Sequence, residues 1–205
     1  MHTGVIRCSV QVLLCSVLCG AHVGFAQRGR VRVNDININY IRSPKFEDTS
    51  DSRAKPRDRE WLQVRCEYET DDGRGGWIDE VTLEWSVAVV PKSGKPVICK
   101  RQVTYVDIAD GNHHAVMYIR PGFMRRYYED RRIGNRDVAV YVEARIPGAN
   151  PATYEYSKGK MPREWWRYEE PQVVVKQTEL LNRMETPFAP LDYDFYEHIK
   201  VEPRR

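Results

Sequence analysis

The chain is 205 residues long with a net charge of +3, and it combines 30% charged residues with 12 Tyr and 5 Trp. That length suits one domain with an appendage, and the near-neutral balance exerts no global pull toward nucleic acid. The aromatic surplus instead suits a β-sheet core or an interface.

Arg7 precedes a largely apolar run from Cys8 to Ala26, and Gly24 and Ala26 stand where a signal peptidase reads small residues. Residues 1–26 therefore read as a signal peptide. A spanning helix needs about 20 predominantly apolar residues, and Ser9, Gln11, Ser16, Gly20, His22 and Gly24 interrupt this run. The mature form is expected to have no membrane span and to be exported to the periplasm, the outer-membrane surface or the extracellular space. Leucines precede Cys15 and Cys19, unlike a lipoprotein site, and the long unbroken helix of a pilin is missing. The leader takes Cys8, Cys15 and Cys19 with it, leaving Cys66 and Cys99 for an oxidising compartment.

Alternation then dominates and predicts half-buried strands. Val31 to Ile41 changes face near Asn34-Asp35, which predicts a bulge or a passage between sheets. Arg42 to Arg59, charged and holding Pro44 and Pro56, reads as a solvated connection. Leu62, Val64, Cys66 and Tyr68 share one face, and Asp71-Asp72-Gly73-Arg74-Gly75-Gly76 turns the chain into Val81, Leu83, Trp85, Val87 and Val89. Further strands follow at Val97 to Tyr105, Ala115 to Ile119, Val138 to Ala144 and Thr153 to Tyr156, with Val173 to Val175 closing the set. Between them, Pro121 to Arg132 sets Phe123, Met124, Tyr127 and Tyr128 at helical spacing, with Arg125–Glu129 and Arg126–Asp130 placed to pair.

The expected fold is all-β: an immunoglobulin-like β-sandwich over residues 27–175 with a short inter-strand helix. A closed barrel is the competing architecture. Residues 176–205 are expected to form a C-terminal helix, with Leu180, Leu181 and Met184 on one face, followed by an extended tail. That tail carries Phe188, Leu191, Tyr193, Phe195 and Tyr196. So apolar a segment is costly to leave in water. It is expected to dock either on its own sandwich or on a neighbouring copy; the sandwich reads as complete at Val175, which favours a subunit interface in a homo-oligomer with these five side chains as the candidates.

Cys66 and Cys99, both on apolar strand faces, are the disulfide candidates, with two separate buried thiols as the other reading. His113 and His114 are neighbours that point to opposite sides of a strand, so they are poorly placed to share a metal. No Cys or His spacing resembles a metal motif, and Asp71-Asp72 and Glu169-Glu170 read as turn and strand-end solvation. Without a phosphate loop, a nucleophile elbow or a pair of carboxylates set across a cleft, the chain reads as non-enzymatic and free of cofactor. The cluster from Arg120 to Arg136 reads as a solvated helix face. Trp165-Trp166 is the candidate ligand platform, because an exposed ring on an exported sandwich is a way to hold a sugar; edge packing is the alternative.

Val31-Arg32-Val33-Asn34-Asp35-Ile36, Trp77-Ile78-Asp79-Glu80-Val81 and Tyr118-Ile119-Arg120-Pro121-Gly122-Phe123, with the leader and the aromatic tail, carry a resemblance. The chain resembles the small exported immunoglobulin-like proteins encoded beside type IV pilus genes in mucin-degrading verrucomicrobia. That resemblance implies a structural or assembly role in the cell envelope, with pilus or envelope proteins as partners, and it carries over no site residues. A glycan-binding module is the rival function.

Overall fold

The computed structural model describes residues 29–44, 59–92, 95–129, 132–159, 161–170 and 172–201. The expected leader and the middle of the charged connection lie outside the described residues. The strands are β1 (Arg30–Arg42), β2 (Glu60–Asp71), β3 (Trp77–Val89), β4 (Val97–Ala109), β5 (Gly111–Ile119), β6 (Val138–Arg145), β7 (Ala152–Ser157), β8 (Val174–Lys176), β9 (Leu180–Asn182) and β10 (His198–Ile199), with helix α1 (Pro121–Tyr128) between β5 and β6. They form two sheets, one ordered β1-β2-β5-β9 and the other β10-β4-β3-β6-β7, with β8 running parallel to β4. The protein is all-β, two sheets packed face to face.

Alternation explains the core. Leu62, Val64, Cys66 and Tyr68 of β2 and Val81, Leu83, Trp85 and Val87 of β3 all turn inward and are buried. The face change in β1 is a bulge: Val33 pairs with Tyr68 and Asp35 with Glu67, so Asn34 has no opposite number. One extra residue lets Val31, Val33 and Ile36 all point into the core, and β1 stays on β2 along its whole length.

Two outer faces are also covered, which simple alternation does not anticipate. Ala88, Ile98 and Ala139 are buried beneath Trp165 and Val173. Val116 and Tyr118 are buried beneath Phe188.

Helix α1 is shorter than the spacing suggested. It stops at Tyr128 because Glu129 takes a left-handed conformation, φ 52°, turning the chain back toward β1. There the Tyr40 hydroxyl donates to the Ile133 carbonyl at 2.9 Å and accepts from its amide at 2.5 Å. Asp130, the expected partner of Arg126, lies outside the described residues, and the Arg126 guanidinium lies over the Tyr127 ring.

The expected C-terminal helix is not formed. Leu180–Asn182 is a strand antiparallel to β5, and two short 3-10 turns, Arg183–Glu185 and Tyr193–Phe195, follow it. Helical spacing would have grouped Leu180, Leu181 and Met184. As a strand the segment instead buries Leu180 and Asn182 and leaves Met184 exposed. The reason is the open edge of β5, whose backbone groups find partners when β9 adds to it. Likewise β10 pairs with β4 through His198↔Val106 and Ile199↔Tyr105. The sandwich is therefore not complete at Val175, and residues 176–201 supply an edge strand to each sheet.

Candidate functional site

The tail that was expected to cross to another subunit lies on its own sandwich. Phe188 is buried, stacked on Tyr118 with ring centroids 4.9 Å apart and meeting Trp61 edge-on at 5.6 Å. Phe195 stacks on His114 at 4.9 Å, and half-buried Tyr196 faces the Arg183 guanidinium. Arg183 is itself buried and donates to the Leu191 carbonyl, closing the loop between them. What remains outward is Leu191 and Phe195, 41% and 53% exposed, with Met184 beside the first turn at 55%. The backbone of Tyr193 forms a 3-10 turn with Asp194 and Phe195. Of the five interface candidates, then, Phe188 is an internal anchor, and Leu191 and Phe195 are the ones left for a partner.

Trp165 and Trp166 divide as the polarity of their surroundings dictates. Trp165 is fully buried, its indole N–H donating to Glu155 at 2.9 Å. Trp166 is half-buried, lying flat on Tyr141 at 4.1 Å with the planes 4° from parallel. It borders a trough of about 620 Å³ lined by Lys100, Gln102, Tyr141, Glu143, Arg145 and Gln177, among others. The ring face turned to Tyr141 is already used. Arg145 pairs with Glu84 and Glu143, so that side of the trough satisfies itself.

Cys66 and Cys99 do not form the expected bridge; both are free and buried. Both lie on inward strand faces, as the alternation predicts, but at different heights along their strands. Tyr68, two residues from Cys66 on the same face of β2, meets the Tyr105 ring at 6.5 Å, and Cys99 sits six residues farther along β4, roughly 20 Å at strand rise. A disulfide spans only about 4.4–6.8 Å between Cα atoms. Burial raises both thiols, Cys99 to about 12.

The tightest polar cluster was missed from the sequence. His113 and His114 do point to opposite faces, yet both hold the tail: His114 outside through Phe195, His113 inside through Glu197. His113 is buried, with Nδ1 2.7 Å from Glu197 Oε1. Its Nε2 is 2.8 Å from the Ala109 carbonyl and 2.9 Å from Thr70 Oγ1. Carboxylate, imidazole and hydroxyl in a row resemble a nucleophile with its base. The Thr70 hydroxyl also has the Ala109 carbonyl within donating distance, 2.8 Å. Nε2 faces the same carbonyl, and whether it donates there or accepts from the hydroxyl depends on the ring's tautomer. Access argues otherwise: Thr70 is 2% exposed and closed to substrate. The arrangement fastens; it is not set up to attack. Thr70 and Glu197 lie 43 and 84 residues from His113, so no local motif announces them.

Asp71, Asp72 and Asp110 bring carboxylate oxygens within 4.8 Å of one another. These oxygens build the turn. Asp72 Oδ1 accepts the amides of Arg74 at 2.6 Å and Gly76 at 3.1 Å, and Asp110 accepts those of Asp72 and Gly76. The Arg74 amide is the main cause that holds the Asp72 carboxyl below its usual range. Gly73 and Gly75, φ 78° and 74°, provide the left-handed positions the turn requires.

Among the described residues no helix is long and apolar enough to cross a membrane. No curated protein matches the chain. A crystal structure of a protein from the verrucomicrobium Akkermansia muciniphila is similar to it, with 27% identity and a TM-score of 0.73, over 86% of this chain and 96% of that one. A protein-family model matches residues 23–203, spanning both sheets and the docked tail. The chain belongs to the family that this model describes.

Proposed function

We propose that the protein is an exported, non-enzymatic immunoglobulin-like sandwich that works through protein–protein contacts in the cell envelope, within a type IV pilus-associated assembly. The strand order supports the fold reading. β1-β2-β5 facing β4-β3-β6-β7 follows the A-B-E against C′-C-F-G arrangement of that fold, with Trp85 on the strand equivalent to C. The sequence resemblance to pilus-linked verrucomicrobial proteins supports the setting. Likeness to the Akkermansia protein agrees with it.

The observation that carries the contact role is that Met184, Leu191 and Phe195 stay exposed on a tail otherwise anchored by Phe188 and Arg183. Anchored apolar side chains keep little freedom to lose on binding, which favours association. Cross-linking in envelope preparations, followed by identification of the adducts, tests this. Wild type is expected to give discrete adducts with pilus or envelope proteins that a Leu191→Ser, Phe195→Ser variant loses. Adducts unchanged in the folded variant would defeat the reading.

The trough beside Trp166 favours glycan as a second reading, since Gln102, Gln177 and the charged rim offer hydrogen bonds beside an aromatic edge. Binding on a glycan array that disappears with Trp166→Ala would support it. An array with no binding would remove it.

A further inference from the structure

Building on the glycan reading of the trough beside Trp166, we infer that its ligand is an acidic saccharide, with the carboxylate or sulfate of the sugar held by Lys100. The strand registers lay the floor of the trough out in rows. Lys100, Ser86 and Tyr141 stand side by side across β4, β3 and β6, and Gln102, Glu84 and Glu143 form the next row. Trp165 and Val173 cover the row before them, Ile98, Ala88 and Ala139. The trough opens where that cover stops.

Most charges around it are already answered. Arg101 pairs with Glu185, Arg167 with Glu164, and Arg145 with both Glu84 and Glu143. Lys100 is the exception: among the described residues its half-buried ammonium has no carboxylate partner. Glu84 and Glu143, opposite one another, share a single guanidinium and keep acceptor capacity to spare. Ser86 lies at the centre of the floor, only 9% exposed, and its hydroxyl has no protein partner among the described residues. The same holds for the side-chain amides of Gln102 and Gln177. A buried hydroxyl left open to a trough is a group that a ligand completes.

That set selects the ligand. Saccharide hydroxyls both donate and accept, which matches a serine, two primary amides and a carboxylate pair with one arginine between them. An apolar ligand would leave these groups unpaired. A neutral saccharide would leave the Lys100 ammonium unanswered, whereas an anionic group on the sugar adds one charge-assisted hydrogen bond there. Trp166, fixed flat on Tyr141, supplies the wall against which the carbons of a sugar ring pack.

An array that carries neutral oligosaccharides beside their uronate, sialate and sulfate forms tests this, with variants that keep the wild-type melting temperature. The wild type is expected to retain acidic forms about 10-fold more strongly than their neutral parents, the equivalent of one hydrogen bond to a charged group. Lys100→Gln is expected to erase that preference. Arg32→Gln, which takes a positive charge from β1 in the other sheet, is expected to keep it. A hexaglutamate peptide, which offers charge without a sugar ring, is expected not to displace the bound glycan. Acidic and neutral forms retained alike, a preference that survives Lys100→Gln or vanishes with Arg32→Gln, or displacement by hexaglutamate would each overturn the acidic-saccharide assignment and leave the glycan reading standing. An array with no binding at all removes both.

Discussion

The ring of Phe188 lies on that of Tyr118 with the planes 13° from parallel, so a residue from the tail completes the packing of the fifth strand's outer face. Phe188 also meets Trp61 edge-on, an arrangement that adds to area burial alone. Truncating it strips cover from Val116 and Tyr118 together. Phe188→Ala is expected to cost about 3 kcal/mol in urea unfolding, whereas Phe195→Ala, at a half-exposed ring, is expected to cost under about 1 kcal/mol. Equal costs would mean that the tail is not docked as described.

The buried thiols of Cys66 and Cys99 and the buried phenols make the fold sensitive to alkali. Cys66, Cys99, Tyr68 and Tyr105 are raised by burial, and Tyr118 reaches about 12 for the same reason. Each loses its proton more easily in the unfolded chain, at about 8.5 for Cys and about 10 for Tyr. Their contribution to stability is therefore complete below about pH 8.5 and declines as pH rises above it, by up to about 1.4 kcal/mol per pH unit for each group in play. Urea midpoints at pH 8, 9.5 and 10.5 should fall in that order, and a thiol reagent should modify Cys66 and Cys99 only after unfolding. A flat midpoint series, or a non-reduced mass two hydrogens lighter than the free thiols require, would contradict this.

Trp165 and Trp166 should separate sharply. Trp165 covers Ala88, Ile98 and Ala139 and donates to Glu155, so Trp165→Ala is expected to cost about 3 to 5 kcal/mol. Trp166→Ala removes a half-buried ring stacked on Tyr141 and is expected to cost about 1 kcal/mol. Thermal melts of the two variants measure the difference, and a Trp166 effect as large as that of Trp165 would contradict the assignment.

Strands such as Val81 to Val89 were legible because one face meets the core and the other meets water, which prints a period of two into the sequence. Tail strand Leu180–Asn182 was not. Three residues are too few to show a period, and Leu180, Leu181 and Met184 fit helical spacing equally well. Adjacent inward and outward apolar residues, as at Val87-Ala88 and Met117-Tyr118, were the available sign that something covers the outer faces. What covers them is fixed by contacts distant in sequence. The same distance hid Glu197 from His113, and it left the separation of Cys66 and Cys99 along the strands undetermined, since alternation gives the face of a residue but not its height.

Asn34 makes a sharp test of how the first strand is registered. It is the residue without an opposite number, between the pairs Val33↔Tyr68 and Asp35↔Glu67. Deleting it closes the ladder while Val31, Val33 and Ile36 all keep their inward face, so the change is expected to be within about 1 kcal/mol of neutral. Deleting Asn37 removes a paired residue opposite Arg65 and leaves the strand on the two sides of the cut out of phase. Either Val31, Val33 and Ile36 turn outward or the segment after the cut does. Each large side chain exposed in this way forfeits about 1.5 to 3 kcal/mol, so this deletion is expected to abolish cooperative folding or to lower stability by several kcal/mol. Paired urea titrations of the two deletions decide the matter, and a costly Asn34 deletion beside a tolerated Asn37 deletion would place the bulge elsewhere.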